Sequence, residues 1–218
     1  MRAVVTIAIG DAFRDMAALT HPLIADYARR VRADFISITH AEGSPYTAKM
    51  RISELLWIYD RILYLDTDIL VRPECPDLFD LVPPDQFGVW LASTINRGFG
   101  PMIAGVQAAL GDIGWREPYF NSGVMVVSRM HRPAFNKRLE YADEMPDQTL
   151  LNYRVQKLKF PVFDLGHRFN HTGVADTIAD RAGSFIIHYA GVGGGNPQER
   201  LDAISADMRR FGIRMPGA

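Results

Sequence analysis

The stretch that decides the fold is RILYLDTDIL, residues 61–70. Apolar residues 62–65 run directly into Asp66-Thr67-Asp68, and the chain turns apolar again at Ile69-Leu70-Val71. An unpaired buried charge is costly, so carboxylates are rare inside apolar runs. Residues i and i+2 of an extended chain point to the same side. If 62–65 form a central strand of an open parallel sheet, both acids lie beyond its carboxyl end, where such sheets bind ligands. Two carboxylates on one side suit a hard divalent cation such as Mg²⁺ or Mn²⁺. Taken alone, the pattern reads equally as a turn or cap that closes a strand.

The flanking sequence supports a strand at this point. Residues 3–9 (AVVTIAI) form a β-branched apolar run ended by the turn signal Gly10-Asp11. Residues 15–32 carry apolar side chains at helical spacing, with Arg29, Arg30 and Arg32 in the last turn. Residues 34–39 alternate as a second strand, and 47–59 are helical again before the opening run. Strand, helix, strand, helix, strand within about 70 residues predicts right-handed crossovers and a parallel sheet. Further strands are expected at 86–93, 119–128, 160–163 and 185–189, and helices at 133–143, 147–157 and 197–211. The glycine-rich segment 95–114 reads as the longest loop, where binding groups tend to lie. No repeat, low-complexity tract or linker interrupts the chain.

With 218 residues, 48% of them hydrophobic, one substantial α/β domain is expected. The 24 basic and 25 acidic side chains leave a net charge of -1, which argues against a nucleic-acid partner. Cys75 is the only cysteine, which excludes a disulfide framework and a cysteine-rich zinc site. The N-terminal run MRAVVTIAIG lacks a cleavage pattern, and no run reaches the ~18 apolar residues of a spanning helix. A cytoplasmic chain without a transmembrane segment is expected. The oligomeric state stays open, a homodimer included.

Three other segments carry chemistry. His188 ends the apolar run FIIHYAG and precedes the turn Gly191-Val192-Gly193-Gly194-Gly195, whose backbone N–H groups are able to approach a phosphate. Two carboxylates and an imidazole at strand ends make a donor set suited to Mn²⁺. Asn121-Ser122-Gly123 puts an amide at the edge of the apolar run 124–127, either as a plain turn or as a sugar-hydroxyl ligand. Asp147-Gln148 opens a helical pattern, where Asp147 serves as an N-cap or faces a reacting sugar carbon.

The runs LYLDTDILV, FNSGVMVVS, DQTLLN and HYAG, in this order, resemble family 8 glycosyltransferases: glycogenin and the bacterial lipopolysaccharide glucosyl- and galactosyltransferases. The opening VVTIAIGDAF is similar to their first strand and nucleotide loop, so the resemblance spans residues 4–191. It implies a GT-A fold: a single α/β domain, residues 1–218, with a mostly parallel central sheet flanked by helices. A Rossmann-like nucleotide-sugar-binding part would occupy about 1–72 and an acceptor-side part about 73–218.

The resemblance further implies a metal-dependent, retaining transfer of a hexose (glucose or galactose) from a UDP-sugar to an acceptor hydroxyl on a glycan, protein or small molecule. The cofactor would be Mn²⁺ or Mg²⁺, held by Asp66, Asp68 and His188. Ile7, Ile9, Gly10 and Phe13 match the segment around uracil and ribose. Lys49, seventeen positions before Asp66, matches a basic residue near the donor's sugar and phosphate, with Arg51 a competitor for that role. Thr67, Ser122 and Gly191 join the donor-binding set. Asn121, Asp147 and Gln148 match positions that line the donor sugar, and Asp112 is a further acid of that kind.

The pattern departs from the family after His188. A lysine that reaches the diphosphate is usual there, whereas this chain reads Val192-Gly193-Gly194-Gly195-Asn196, leaving backbone N–H groups or Arg200 as substitutes. A basic and aromatic C-terminal extension is also missing, which favours a soluble acceptor or a minimal enzyme. Retention allows double displacement, with Asp147 as nucleophile, or same-face attack in which the departing phosphate oxygen takes the acceptor proton; the absence of a dedicated carboxylate pair favours the latter. Arg97, Phe99, Trp115 and Arg116 mark a candidate acceptor-side surface. Rival readings are a haloacid-dehalogenase-type phosphatase, a nucleotidyltransferase, and an inactive UDP-sugar-binding module.

Overall fold

The computed structural model describes residues 1–40, 45–95, 98–138, 141 and 145–216. Strand β1 (Arg2–Ile7) leads into helix α1 (Asp11–Arg30), then β2 (Asp34–Ile38), the short helices α2 (Pro45–Met50) and α3 (Ile52–Leu55), and β3 (Arg61–Leu65). There follow β4 (Ile69–Val71), α4 (Leu78–Leu81), β5 (Phe87–Trp90), α5 (Gly100–Leu110), β6 (Asn121–Ser128), α6 (Pro146–Lys157), β7 (Val162–Asp164), β8 (Ile186–His188) and α7 (Pro197–Arg210). Six strands form one sheet in the order β2-β1-β3-β6-β5-β7. Only β6 runs against its neighbours, so the sheet is mostly parallel as expected.

The alternation of side chains across the sheet builds two cores. Ala3, Val5, Ile62, Tyr64, Met125 and Val127 face one side, packed with Leu56, Phe135 and Leu151. Val4, Leu63, Leu65, Val124 and Val126 face the other, packed with Ile24, Tyr27 and Phe79. This period of two is what pleated strands impose, and covering both faces keeps the paired stretches 62–65 of β3 and 124–127 of β6 apolar.

β4 leaves this sheet. It pairs antiparallel with β8 as a separate ribbon, with Ile69 opposite His188 and Val71 opposite Ile186. Leu70 and Ile187 pack with Met16 and Leu23 of α1 and Ile204 of α7.

Three expectations are corrected. The segment 95–114 is not a loop: α5 fills its centre. Pro101 suits a first helical turn, where its missing N–H costs nothing. Ile103 and Val106 bury against Trp115, Tyr119 and Tyr153, with Leu110 beside them. The Tyr153 hydroxyl donates to the carbonyls of Leu110 and Gly111 at 2.9 and 3.0 Å, closing the helix end.

The expected α-helix at 133–143 is replaced by a tight 3₁₀ stretch, Arg129–Phe135. The buried Arg154 guanidinium draws off the carbonyls an α-helix would need: Ala134 at 3.3 Å, Asn136 at 2.7 Å, and that of Arg138. Residues 139, 140, 142 and 143 of that expectation lie outside the described residues.

The helix expected over 47–59 breaks at Arg51 into α2 and α3. There the Ser53 hydroxyl donates to the Met50 carbonyl at 2.9 Å, competing with the helical ladder.

Candidate functional site

The site lies beyond the carboxyl end of β3, where β1, β3 and the oppositely running β6 bring loops together. The Asp66 N–H donates to the Gly123 carbonyl at 2.8 Å, extending the β3–β6 ladder by one rung. The Thr67 hydroxyl donates to the Ile7 carbonyl, and the Thr67 carbonyl accepts from the Thr20 hydroxyl at 2.7 Å. The bend between Asp66 and Asp68 is thereby tied to β1 and α1. Tyr189 N–H donates to the Asp68 carbonyl at 3.0 Å, drawing the end of β8 alongside.

This arrangement converges three ligand atoms. Nε2 of His188 lies 3.5 Å from Oδ2 of Asp66 and 3.3 Å from Oδ1 of Asp68. One ligand atom from each residue falls within 4.8 Å of the others. Divalent cations bind such oxygens and nitrogens at just over 2 Å, so the spacing is that of a cation-sized gap.

The imidazole is oriented by a chain of amides. Asn121 Oδ1 accepts from the Gly123 N–H and from Asn170 Nδ2, both at 2.9 Å. The Asn170 oxygen therefore faces His188 Nδ1, at 2.8 Å. A carbonyl oxygen only accepts, so Nδ1 carries a proton and Nε2 is the nitrogen turned to the carboxylates. Burial alone would lower the His188 pKa, but Asp68, with a further contribution from Asp66, raises it above the usual histidine value. Burial likewise opposes ionisation of Asp68, and His188 and Arg200 overcome it and lower the Asp68 pKa.

A second charged group sits beside the first. Nζ of Lys49 lies 2.6 Å from Oδ2 of Asp147 and 3.6 Å from Oδ1 of Asp66, and it donates to the Ser122 hydroxyl at 3.0 Å. Burial disfavours the Lys49 ammonium, but Asp147 and Asp66 prevail and raise its pKa. Burial, then the Asp66 charge, push the Tyr64 phenol well up, so it stays protonated and donates to Asp66 Oδ1 at 2.6 Å. Gln148 accepts the Ser122 N–H at 3.0 Å, and Asn152 brackets Phe120 through its N–H at 2.8 Å and its carbonyl at 2.9 Å. Side chains four apart on α6 thus fasten the helix start to the start of β6.

A cleft of about 400 Å³ opens over these groups. Asp66, Thr67, Asp68 and His188 line it, with Lys49, Asn121, Ser122, Asp147 and Gln148 on one side. Ile7, Phe13 and Gly191 line it too, as does Arg200, whose Nη1 is 2.9 Å from Asp68 Oδ2. Ile9 and Gly10 are not lining residues. Ile9 packs on the core beneath the sheet, while Gly10, at φ +91°, turns the chain into α1.

Arg51 points elsewhere, to Glu54 and the His40 carbonyl. Asp112 is also remote, paired with Arg116 on the surface and accepting the Gly114 N–H. Of the acceptor-side residues, Phe99 lines a second cleft, Trp115 is buried, Arg116 is exposed, and Arg97 lies outside the described residues.

Sequence reasoning missed Tyr64, Gly123 and Asn170 as site residues. Tyr64 carried a signal, since it stands two positions before Asp66 on the same face. Gly123 is a spatial requirement of the His188 ring, and Asn170 arrives from a 3₁₀ turn with no motif around it.

Comparison with known proteins agrees with this architecture. The chain is similar in fold to a glycosyltransferase involved in the glycosylation of the major capsid of PBCV-1, with 14% identity, 93% of this chain and 99% of that one covered, and a TM-score of 0.62. It is similar to the galactosyltransferase LgtC in complex with donor and acceptor sugar analogs, at 16% identity over 97% of this chain and 100% of that one, TM-score 0.58. Mouse xyloside xylosyltransferase 1 aligns at 12% identity over 87% and 98%, TM-score 0.53. Comparison with curated protein sequences gives no match. The family profile described as glycosyl transferase family 8 matches residues 39–192, which include Asp66, Asp68, Asp147 and His188. The chain belongs to glycosyltransferase family 8, in a GT-A fold.

Proposed function

We propose that this protein transfers a hexose, glucose or galactose, from a UDP-sugar to an acceptor hydroxyl with retention of configuration, and that it needs Mn²⁺ or Mg²⁺. The observation that carries the reading is the meeting of Asp66, Asp68 and His188 in one cleft with Lys49 and Arg200. Two carboxylate oxygens and one imidazole nitrogen suit either cation, and the absence of a side chain at Gly123 lets the His188 ring and the Asp66 carboxylate pack against the backbone there. Bound there, a divalent cation would supply Lewis-acid neutralisation of the leaving diphosphate.

The chain's own residues do the rest. Lys49 holds fixed positive charge next to the reacting centre and pins Asp147. Asn121 and Gln148 line both this cleft and an adjoining one of about 550 Å³, so a sugar they hold would lie between donor and acceptor spaces. Asp147 is engaged by an ammonium at 2.6 Å, which weakens it as a nucleophile. That supports same-face attack, with Asp147 positioning the sugar and stabilising positive charge as it develops on the ring. Trp90, Phe99 and Val174 give the adjoining cleft an apolar wall for an acceptor.

The test is UDP release from a panel of UDP-sugars with Mn²⁺, with and without acceptor sugars. Release from a UDP-hexose, abolished by EDTA and in Asp68→Ala and His188→Ala, is expected. UDP binding without any turnover would favour an inactive binding module, and full activity in EDTA would remove the metal from the reading.

A further inference from the structure

Arg200 stands in the first turn of α7, remote in sequence from Asp66 and Asp68, yet its side chain lines the cleft and its guanidinium reaches Asp68. Asp68 divides its two oxygens: Oδ1 faces His188 at 3.3 Å and Oδ2 faces Arg200 Nη1 at 2.9 Å. The Arg200 side chain is 15% exposed, and its buried Nε has no acceptor among the described residues. A buried donor without a partner is costly, so this guanidinium is poised for an acceptor it does not yet have.

The charges in the cleft give that acceptor a class. Three carboxylates, Asp66, Asp68 and Asp147, line the cleft with two basic side chains, Lys49 and Arg200. In the free protein Arg200 neutralises Asp68. A divalent cation on Asp66, Asp68 and His188 would take over that carboxylate and stand beside a guanidinium of like charge, which opposes its binding. A diphosphate entering with the cation brings oxygens able to accept from both Nη1 and Nε, and planar guanidinium groups match such oxygens well.

We propose that Arg200 is a relocating cation: it pairs with Asp68 in the free protein and with the donor's diphosphate in the loaded one, so that metal and nucleotide bind cooperatively. This rests on the glycosyl-transfer reading above. It gives Arg200 two effects of opposite sign, weakening the metal alone and strengthening the nucleotide with metal. Linkage requires that each ligand then raise the other's affinity by the same factor.

The experiment is calorimetric titration of the full chain with Mn²⁺ alone, and with UDP at saturating Mn²⁺, for wild type, Arg200→Gln and Arg200→Lys. In Arg200→Gln, Mn²⁺ alone should bind several-fold tighter while UDP with Mn²⁺ binds roughly tenfold weaker. Arg200→Lys keeps the charge with fewer donors and should move both affinities in the same two directions by less, which serves as the measurement if Arg200→Gln does not fold. Unchanged affinities, or two affinities that fall together, overturn the proposal while leaving the functional reading intact. Wild-type protein that binds neither Mn²⁺ nor UDP overturns both.

Discussion

A Cβ placed on Gly123 would come within 2.2 Å of Cε1 of His188 and 2.8 Å of Oδ2 of Asp66. The ring as placed also makes the 2.8 Å contact between Nδ1 and Asn170, so moving it away from a Cβ would disturb that contact. Gly123→Ala should therefore lower Mn²⁺ affinity roughly 10–100-fold, the range seen when a ligand is misoriented, and reduce UDP release in parallel. Manganese titration followed by electron paramagnetic resonance measures it. Wild-type affinity in Gly123→Ala would show that the ring does not need this space.

Asn170 should act on the same ligand from the other side. It is fully buried and joins His188 to Asn121. Asn170→Ala frees the ring and removes the acceptor that keeps the proton on Nδ1, so Mn²⁺ affinity should fall roughly tenfold or more. Asn170→Asp retains an acceptor and should recover part of it. Equal losses in the two variants would mean that Asn170 serves only packing.

The Lys49–Asp147 pair should dominate local stability. Removing one partner of a buried pair leaves an uncompensated charge, at a cost of about 3–5 kcal/mol. Urea unfolding of Lys49→Met should show a loss of that order. Adding Asp147→Leu to Lys49→Met should restore much of the stability and none of the activity. A double variant less stable than Lys49→Met would contradict this assignment.

Stability should also fall in mild acid. Burial lowers His131 to about 4 against 6.5 for the free side chain, and lowers His21 similarly. In the fold His131 Nδ1 accepts the Ser128 N–H at 2.9 Å, which requires the neutral ring. The unfolded chain binds these protons first. Their contribution is thus intact above pH 6.5 and is lost as the pH falls towards 4, each group adding at most about 1.4 kcal/mol per pH unit to the slope. Urea titrations from pH 7.5 to 5 should give a shallower decline in His131→Asn, whose amide oxygen can still accept from Ser128. An unchanged slope would place the sensitivity elsewhere.

The parts of the site legible in the sequence are those written in short segments at strand ends. Asp66, Asp68, Asn121 and His188 each adjoin an apolar run whose role in the sheet or ribbon is plain, and Asp147 opens a helix. Asn170 was harder because no motif or period surrounds it and the packing of a 3₁₀ turn delivers it, whereas Arg200 was named only as a substitute cation and its pairing with Asp68 was not legible. The helix α5 was hidden by its glycines, whose flexibility is overridden by the aromatic surface it covers. The missing helix after Pro133 depends on Arg154, a residue some twenty positions later that no local pattern connects to it.

The β4–β8 ribbon also sets a timetable. Asp68 and His188 stand 120 positions apart, and α7, which carries Arg200, comes later still. During synthesis the sheet strands β1, β2 and β3 can assemble while the acids wait without an imidazole. A chain halted before β8 would present the two carboxylates without the imidazole that completes the candidate cation site. On the proposed reading the donor site is therefore joined from segments far apart in the chain, and it closes only when β8 pairs with β4.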